Sequence, residues 1–288
     1  MFLLTHAYTA LAVVGKLDAR DRDYLIVGSV LPDVAELRIA PEPLTHMQGI
    51  RFMKSVGKEY KYLGLGVVLH GTSPHGLDYY THNRFYSVDG SYKLEKITRE
   101  SGCIARMYDE IAPLVMRYRK SLKMPQDDAV HFVVEFCFDH LTAQRDRKLA
   151  ALVYKALRNS LDTRAVDRFA QFFDVDKKQM KRLKHVVKSR QTKKILTNFS
   201  SVHGTAHNLQ HFSFLKSLRE EHRARYKFLG RLNTIARSSL GFLQAKVHDK
   251  ALVEMFEECV EIVRRDYDDF MSETISEMKR MVKKEKLV

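Results

Sequence analysis

Residues 129–141 read Ala-Val-His-Phe-Val-Val-Glu-Phe-Cys-Phe-Asp-His-Leu, which sets His131, Glu135, Asp139 and His140 among apolar neighbours. The run follows Pro125-Gln-Asp-Asp128, a helix-start signal, and contains no breaker. Val130, Phe132, Val133, Val134, Phe136, Cys137 and Phe138 point nearly all round a helix of 3.6-residue period, so other helices must bury it on every side. His131, Glu135 and Asp139 recur at four-residue intervals and share one face. Burying such carboxylates uncompensated costs several kcal/mol. A metal ion or a protonated partner is therefore expected beside them.

The rest of the chain points to the same class, an all-α multi-helix bundle. Only 13 Gly and 6 Pro interrupt 288 residues, and Leu, Lys, Arg, Glu and Ala are abundant. The apolar stretch 3–14 reads as a helix. It carries His6 and lacks the basic lead and cleavage site of a signal peptide. Asp18 is a plausible N-cap for a helix to Val30. The proline-punctuated stretch Pro32 to Thr45 reads as a loop. A helix is expected from His46 to Tyr62, running on toward Leu69. Gly71-Thr-Ser-Pro74 breaks it, and Pro74 starts a new helix carrying His75 to His82. A turn follows at Val88–Tyr92, then a long helix from Leu94 to Leu122 containing Pro113. Further helices are expected near 146–161, 163–173, 176–189, 191–228, 230–248 and 250–285, the last strongly amphipathic. The division expected is a helical metal-binding region, 1–145, followed by a basic helical region, 146–288, packed on it as one unit.

Charge is unevenly spread. Residues 1–143 hold 17 Lys/Arg and 17 Asp/Glu, residues 144–250 hold 25 and 8, and residues 251–288 hold 7 and 10. Basicity concentrated in 144–250 favours an anionic partner: nucleic acid, anionic lipid or a phosphorylated substrate. Lys181, Arg182, Lys184, Lys188, Arg190, Lys193 and Lys194 would line such an anion-binding cleft, although a solvated lysine-rich surface accounts for them equally well. His203, His207 and His211 form a helical stripe whose outer members lie about 12 Å apart by helix rise, too far to share one ion. Cys103, Cys137 and Cys259 form no CxxC pair, which suits a reducing, cytoplasmic home. No run of 18 apolar residues is present, so no transmembrane span is expected.

Seven of the 13 histidines fall in the first 140 residues: His6, His46, His70, His75, His82, His131 and His140. Asp33, Asp78, Glu135 and Asp139 lie among them. His75, Asp78 and His82 sit at i, i+3 and i+7, so a second helix face gathers ligand-type side chains. Helical bundles build metal sites by this means. Imidazole with carboxylate suits zinc or another divalent ion.

The order of these residues carries a resemblance. His6 lies in an opening apolar helix. It is followed by Gly28-Ser-Val-Leu-Pro-Asp33, His46, the stretch Leu69-His70-Gly-Thr-Ser-Pro-His75-Gly-Leu-Asp78-Tyr-Tyr-Thr-His82, and His131-x-x-x-Glu135. Over residues 1–145 this resembles the zinc-dependent phospholipase C family, whose all-helical fold is shared with fungal single-strand-specific nucleases. The resemblance implies a metal-dependent phosphoesterase. Asp33, His46, one of His70 and His75, and Asp78 would hold one zinc ion. His82, His131 and Glu135 would hold a second. His6 and Asp78 would share a third with a processed amino terminus, so two ions are expected rather than three. Asp139 and His140 would orient ligands, and Asp33 would act on the attacking water as general base. A non-catalytic helical protein that binds nucleic acid or an anionic membrane surface, with a structural or degenerate metal site, is the alternative. An HD-type phosphohydrolase needs an adjacent His-Asp pair; the one present, His248-Asp249, is far from the cluster.

Overall fold

The protein is described by a computed structural model over residues 3–33, 42–82, 102–118, 122, 126–161, 163–187, 189–212 and 250–288. Helix α1 (Leu3–Val14) ends where Gly15 takes a positive φ of 85°. Helix α2 (Ala19–Val30) starts at Asp18, whose side chain accepts from the Asp21 amide. A 3-10 turn over residues 31–33 extends α2 and brings Asp33 to its end. Next come α3 (Glu42–Met47), α4 (Gly49–Val56), a 3-10 turn at Lys58–Tyr60, and α5 (Lys61–His70). After the loop containing the cis peptide Ser73–Pro74 come α6 (Leu77–His82), α7 (Gly102–Arg117) and α8 (Gln126–Arg145). Helices α9 (Leu149–Ser160), α10 (Arg164–Phe172), α11 (Lys177–Val187) and α12 (Arg190–Asn198) follow, then α13 over residues 202–212 and α14 (Lys250–Lys284). The described residues contain no strand, and none of their helices is long and apolar enough to cross a membrane.

Four expectations need correction. The end of the expected loop at Pro32–Thr45 is helical, and His46 sits on the short α3. The helix expected from His46 onward is split at Gln48 and at Gly57, which adopts φ 73° and turns the chain. Pro74 opens no helix; α6 starts at Leu77. The expected 191–228 helix also breaks, at a turn where the Ser200 and Ser201 amides reach back to Thr197 and Asn198. The readings at 88–92, 94–101 and 213–249 fall outside the described residues.

Helix α8 is buried from Ala129 to Ala143, as its all-round apolar pattern requires. Phe138 packs on Tyr267 and Phe270 of α14, Phe136 on Phe199, and Phe132 on Phe212 of α13. The amphipathic face of α14 buries Leu252, Met255, Phe256, Cys259, Val263 and Tyr267 against this centre. Ion pairs at its rim join Arg106 to Asp266, Arg265 to Glu110, and Arg145 to Asp268. Exposed pairs of this kind contribute little each; the apolar stripe sets the docking. One core cluster runs from Leu4 to Met271 and includes side chains of α9 and α10.

The approach of α2 to α5 positions the functional residues. A Cβ on Gly28 would lie 2.1 Å from the carbonyl oxygen of Leu63, and one on Gly66 would lie 2.4 Å from that of Leu25. Only glycine permits backbones this close. The crossing sets the end of α2 against the end of α5, where His70 lies. A second close approach occurs at Gly71, where a Cβ would meet the His46 carbonyl oxygen at 2.3 Å. The Thr72 amide donates to that same oxygen at 2.9 Å.

Candidate metal centre

Five side chains from five segments converge at these crossings. His6 comes from α1, Asp33 from the turn after α2, His46 from α3, His70 from the end of α5 and Asp78 from the first turn of α6. Asp78 is the hub. Its Oδ1 lies 3.2 Å from His6 Nε2, and its Oδ2 lies 2.9 Å from His46 Nε2 and 3.1 Å from His70 Nε2. Asp33 Oδ1 is 3.3 Å from His70 Nε2, and the Nε2 atoms of His46 and His70 face each other at 3.1 Å. The ring of His6 stacks on that of His70 with centroids 3.8 Å apart. His6, His70 and Asp78 are buried.

The tautomer of His70 is fixed. Its Nδ1 lies 2.7 Å from the carbonyl oxygen of Ser29, which can only accept, so Nδ1 carries the hydrogen. If the ring is neutral, Nε2 is a lone pair aimed at two carboxylate oxygens and the Nε2 of His46. That arrangement repels itself unless a positive charge sits at its centre. A proton on Nε2 supplies one such charge, and a metal ion supplies another. Protonation is the metal-free solution. Burial would lower the His70 pKa, but Asp78 and Asp33 outweigh it and push it up to about 10. Burial would likewise raise Asp33 and Asp78. The His70 cation instead holds Asp33 at about 2 and Asp78 well below the usual carboxylate range. His6 is lowered, by its burial and by the charge on His70.

The donor set fits a divalent ion. Bonds of about 2.0–2.2 Å to one ion place neighbouring donors about 3.0–3.5 Å apart, close to the separations above. The ligand atoms of His6, His70 and Asp78 lie within 4.8 Å of one another, as do those of Asp33, His46 and His70. His70 belongs to both trios but has one lone pair, so the geometry suits one central ion, or two that share Asp78. Asp33 Oδ2 is buried and accepts no hydrogen bond among the described residues, which leaves a carboxylate oxygen for a further ligand. The contact from Nδ1 to a backbone carbonyl is the outer support that metal-ligating histidines commonly have. His46 has the equivalent in Thr45, whose hydroxyl lies 3.0 Å from its Nδ1.

The other sequence candidates separate from this group. His75 is exposed and stacks flat on Tyr79 with centroids 3.4 Å apart; His70, not His75, faces Asp78. The side chain of His82, at the end of α6, lies outside the described residues. His131 and Glu135 do pair on α8, Nε2 to Oε1 at 3.1 Å, while Tyr108 of α7 lies 2.9 Å from His131 Nδ1. This pair is balanced without an ion: Nε2–H can donate to Glu135 while the Tyr108 hydroxyl donates to Nδ1. Tyr108 stays protonated because burial and the Glu135 charge raise its pKa well above the ordinary value.

Asp139 and His140 have different work from the orienting role that the resemblance implies. Asp139 Oδ1 accepts from the Leu4 amide, the Thr5 amide and the Thr5 hydroxyl at 3.1, 2.9 and 2.8 Å. It therefore caps the start of α1, one residue before His6. Thr5, Thr142 and Tyr267 continue the network at 3.1 and 2.7 Å. Burial raises the Asp139 pKa to about 7 against the lowering effect of its Thr5 bonds. His140 Nδ1 donates to the Phe199 carbonyl at 2.8 Å, and its Nε2 accepts from Gln144 at 3.0 Å. It ties α8 to the turn between α12 and α13 and orients no member of the cluster.

In the basic region Lys181, Arg190, Lys193 and Lys194 are exposed on α11 and α12. Lys184 pairs with Asp167 at 3.2 Å. The side chains of Arg182 and Lys188 lie outside the described residues. On α13, His203 is exposed, His207 half-buried and His211 buried. Burial lowers the pKa of His207 and His211.

Sequence reasoning missed Ser29, Thr45 and Tyr108. Ser29 stands inside the Gly28 to Asp33 element already singled out, but its contribution is a backbone carbonyl, which carries no residue-type signal. No family model, curated protein or solved structure matches the chain. Fold and site together define an all-helical protein with a buried histidine–aspartate centre suited to a divalent cation.

Proposed function

We propose that the protein is a metal-dependent phosphoric ester hydrolase of phospholipase C-like type, acting on a phosphodiester or phosphomonoester. One observation carries this reading: His70, its Nδ1 hydrogen fixed on Ser29, turns its Nε2 into a buried group of carboxylates and imidazoles whose charge is balanced by a proton on Nε2 or by a metal ion that displaces it. The order of those residues, which resembles the zinc-dependent phospholipase C family, supports the reaction class. His6, Asp33, His46, His70 and Asp78 would hold zinc or another divalent ion. A second ion would be held by His131 and Glu135 with His82, as the resemblance implies. A bound ion of this kind polarises phosphoryl oxygens and lowers the pKa of water. Ser29 and Thr45 hold the imidazoles in the ligating orientation, and Asp78 fixes the spacing of three of them. Asp33, with a spare oxygen, accepts a hydrogen bond from the attacking water. Its low pKa makes it a weak base, so its main effect is to aim the water.

The substrate we favour is a soluble phosphodiester, nucleotide or nucleic acid in the cytoplasm. Cys137 and Cys259 are free thiols inside the core, as a reducing compartment allows. The test is metal analysis of the purified protein together with hydrolysis of bis-p-nitrophenyl phosphate with and without chelator. Tightly held metal and chelator-sensitive turnover support the proposal. A metal-free protein whose stability and activity ignore EDTA refutes it. The exposed cations of α11 and α12 favour a second reading, a non-catalytic protein that binds nucleic acid or an anionic membrane surface. Steeply salt-dependent binding without metal-dependent turnover would select it.

A further inference from the structure

The surface between α9 and α12 carries a concentration of charge that the metal centre does not use. A groove there is lined by Tyr154, Lys155, Arg158, Asn159 and Lys193. Lys155 and Arg158 are three residues apart on α9, and Arg190, Lys193 and Lys194 fall at i, i+3 and i+4 on α12, so each set shares a helix face. All five cations are exposed, and none joins an ion pair among the described residues. Other surface arginines do find carboxylates, Arg145 on Asp268 and Arg264 on Glu261.

From this geometry we infer that the α9–α12 groove binds the backbone of single-stranded nucleic acid. Unpaired cations flanking a groove match a linear polyanion. The Arg158 guanidinium lies 5.8 Å over the Tyr154 ring and presents a flat cationic surface on which an exposed base stacks. A membrane surface fits less well, because α9 has no apolar face left to insert. Leu149, Val153, Ala156 and Leu157 are buried in the core. The exposed large hydrophobics among the described residues, Leu44, Met47, Met116 and Val288, lie on neither helix. The groove is also close to the metal centre. Asn159 donates to Asp23 of α2 at 3.0 Å, and Asp23 lies about 15 Å along the helix from Asp33 by helix rise. A strand of a few nucleotides spans that distance.

This inference does not depend on hydrolysis. The test is fluorescence anisotropy of a labelled oligothymidylate of about twenty residues, with chelator present, over a salt series. Contact with four or five phosphates gives a log–log salt slope of about −3. The pairs Lys155→Glu/Arg158→Glu and Arg190→Glu/Lys193→Glu are each expected to weaken binding at least about tenfold at low salt. The control pair Lys283→Glu/Lys284→Glu, exposed at the end of α14, should change it less than about twofold. Equal loss in the control pair overturns the proposal, because net charge alone then explains binding. So does equal or tighter binding to a duplex of the same length, or to phosphatidylserine vesicles. Hydrolysis of bis-p-nitrophenyl phosphate, which is too small to need the groove, reports separately on the metal centre.

Discussion

The imidazole of His70 is held by the backbone of Ser29, Nδ1 to carbonyl oxygen at 2.7 Å, and that contact exists because Gly28 and Gly66 let α2 and α5 meet. The serine side chain is turned elsewhere, its hydroxyl donating to the Ile26 carbonyl at 2.8 Å. Ser29→Ala should therefore leave metal content and affinity unchanged. Gly28→Ala should not. Its new methyl meets the Leu63 carbonyl oxygen at 2.1 Å, with rigid helix on both sides, so a loss of about 3 kcal/mol or more is expected. Chemical denaturation gives the stability change, and metal analysis of whatever folds gives the site. A Gly28→Ala protein of normal stability and full metal content would show that the crossing is not needed.

The metal-free centre should lose stability as pH rises, and metal should reverse that. His70 has a folded pKa raised to about 10 from an ordinary value near 6.5. Its stabilising contribution is complete below pH 6.5 and is lost as pH climbs toward 10, at about 1.4 kcal/mol per pH unit for one proton. Asp33, depressed to about 2, contributes above pH 3.8 and loses its part as pH falls toward 2. Zinc competes with the His70 proton, so its affinity should increase with pH. Calorimetric titration near pH 7 in buffers of different ionisation enthalpy should show about one proton released per ion. Zero release would mean that His70 is already neutral without metal.

Helices whose apolar pattern is continuous were legible from the sequence: α1, α2, α8 and α14 lie within a few residues of their expected spans. The misreadings cluster where glycine and proline serve tertiary approaches. Gly71 read as a breaker and Gly76 as part of the helix expected from Pro74; both instead let the α5–α6 loop pass against its own backbone and that of His46. The ligand-type residues were visible because His and Asp in apolar surroundings stand out. Which of them meet was not, since His70 and His75 differ only in the side of a loop on which they fall. Asp139 shared the His131 helix face by spacing, but its oxygen is taken by the first turn of α1, a partner 134 residues away in sequence.

Asp78 and His75 offer a direct contrast. Asp78 touches three imidazoles, so under the proposed function Asp78→Asn should leave the centre without metal and without phosphodiesterase turnover while keeping nearly the same volume. Among the described residues His75 stacks on the aromatic rings beside it and joins no ion pair with Asp78, so His75→Ala should keep metal content and lose no more than about 1 kcal/mol of stability. Metal analysis of the purified variants decides both. Loss of metal in His75→Ala, or its retention in Asp78→Asn, would reverse the assignment.

Asp139 should make the wild-type protein progressively less stable, relative to an asparagine variant, between about pH 4 and 7. Its folded pKa is raised to about 7, so the folded state holds a proton that the unfolded chain releases near pH 3.8. The stability linked to that proton is complete below 3.8 and is lost as pH rises through 7, at about 1.4 kcal/mol per unit. Asp139→Asn keeps an acceptor oxygen for the Leu4 and Thr5 donors and has nothing to titrate. The difference between variant and wild type should therefore be small at pH 4 and move in the variant's favour toward pH 7, because an ionised Asp139 leaves Oδ2 charged and without a hydrogen-bond partner among the described residues. Denaturant midpoints measured across that range give the slope. A constant difference would mean that Asp139 is ionised throughout, with the start of α1 stabilising its charge as a helix N-terminus does.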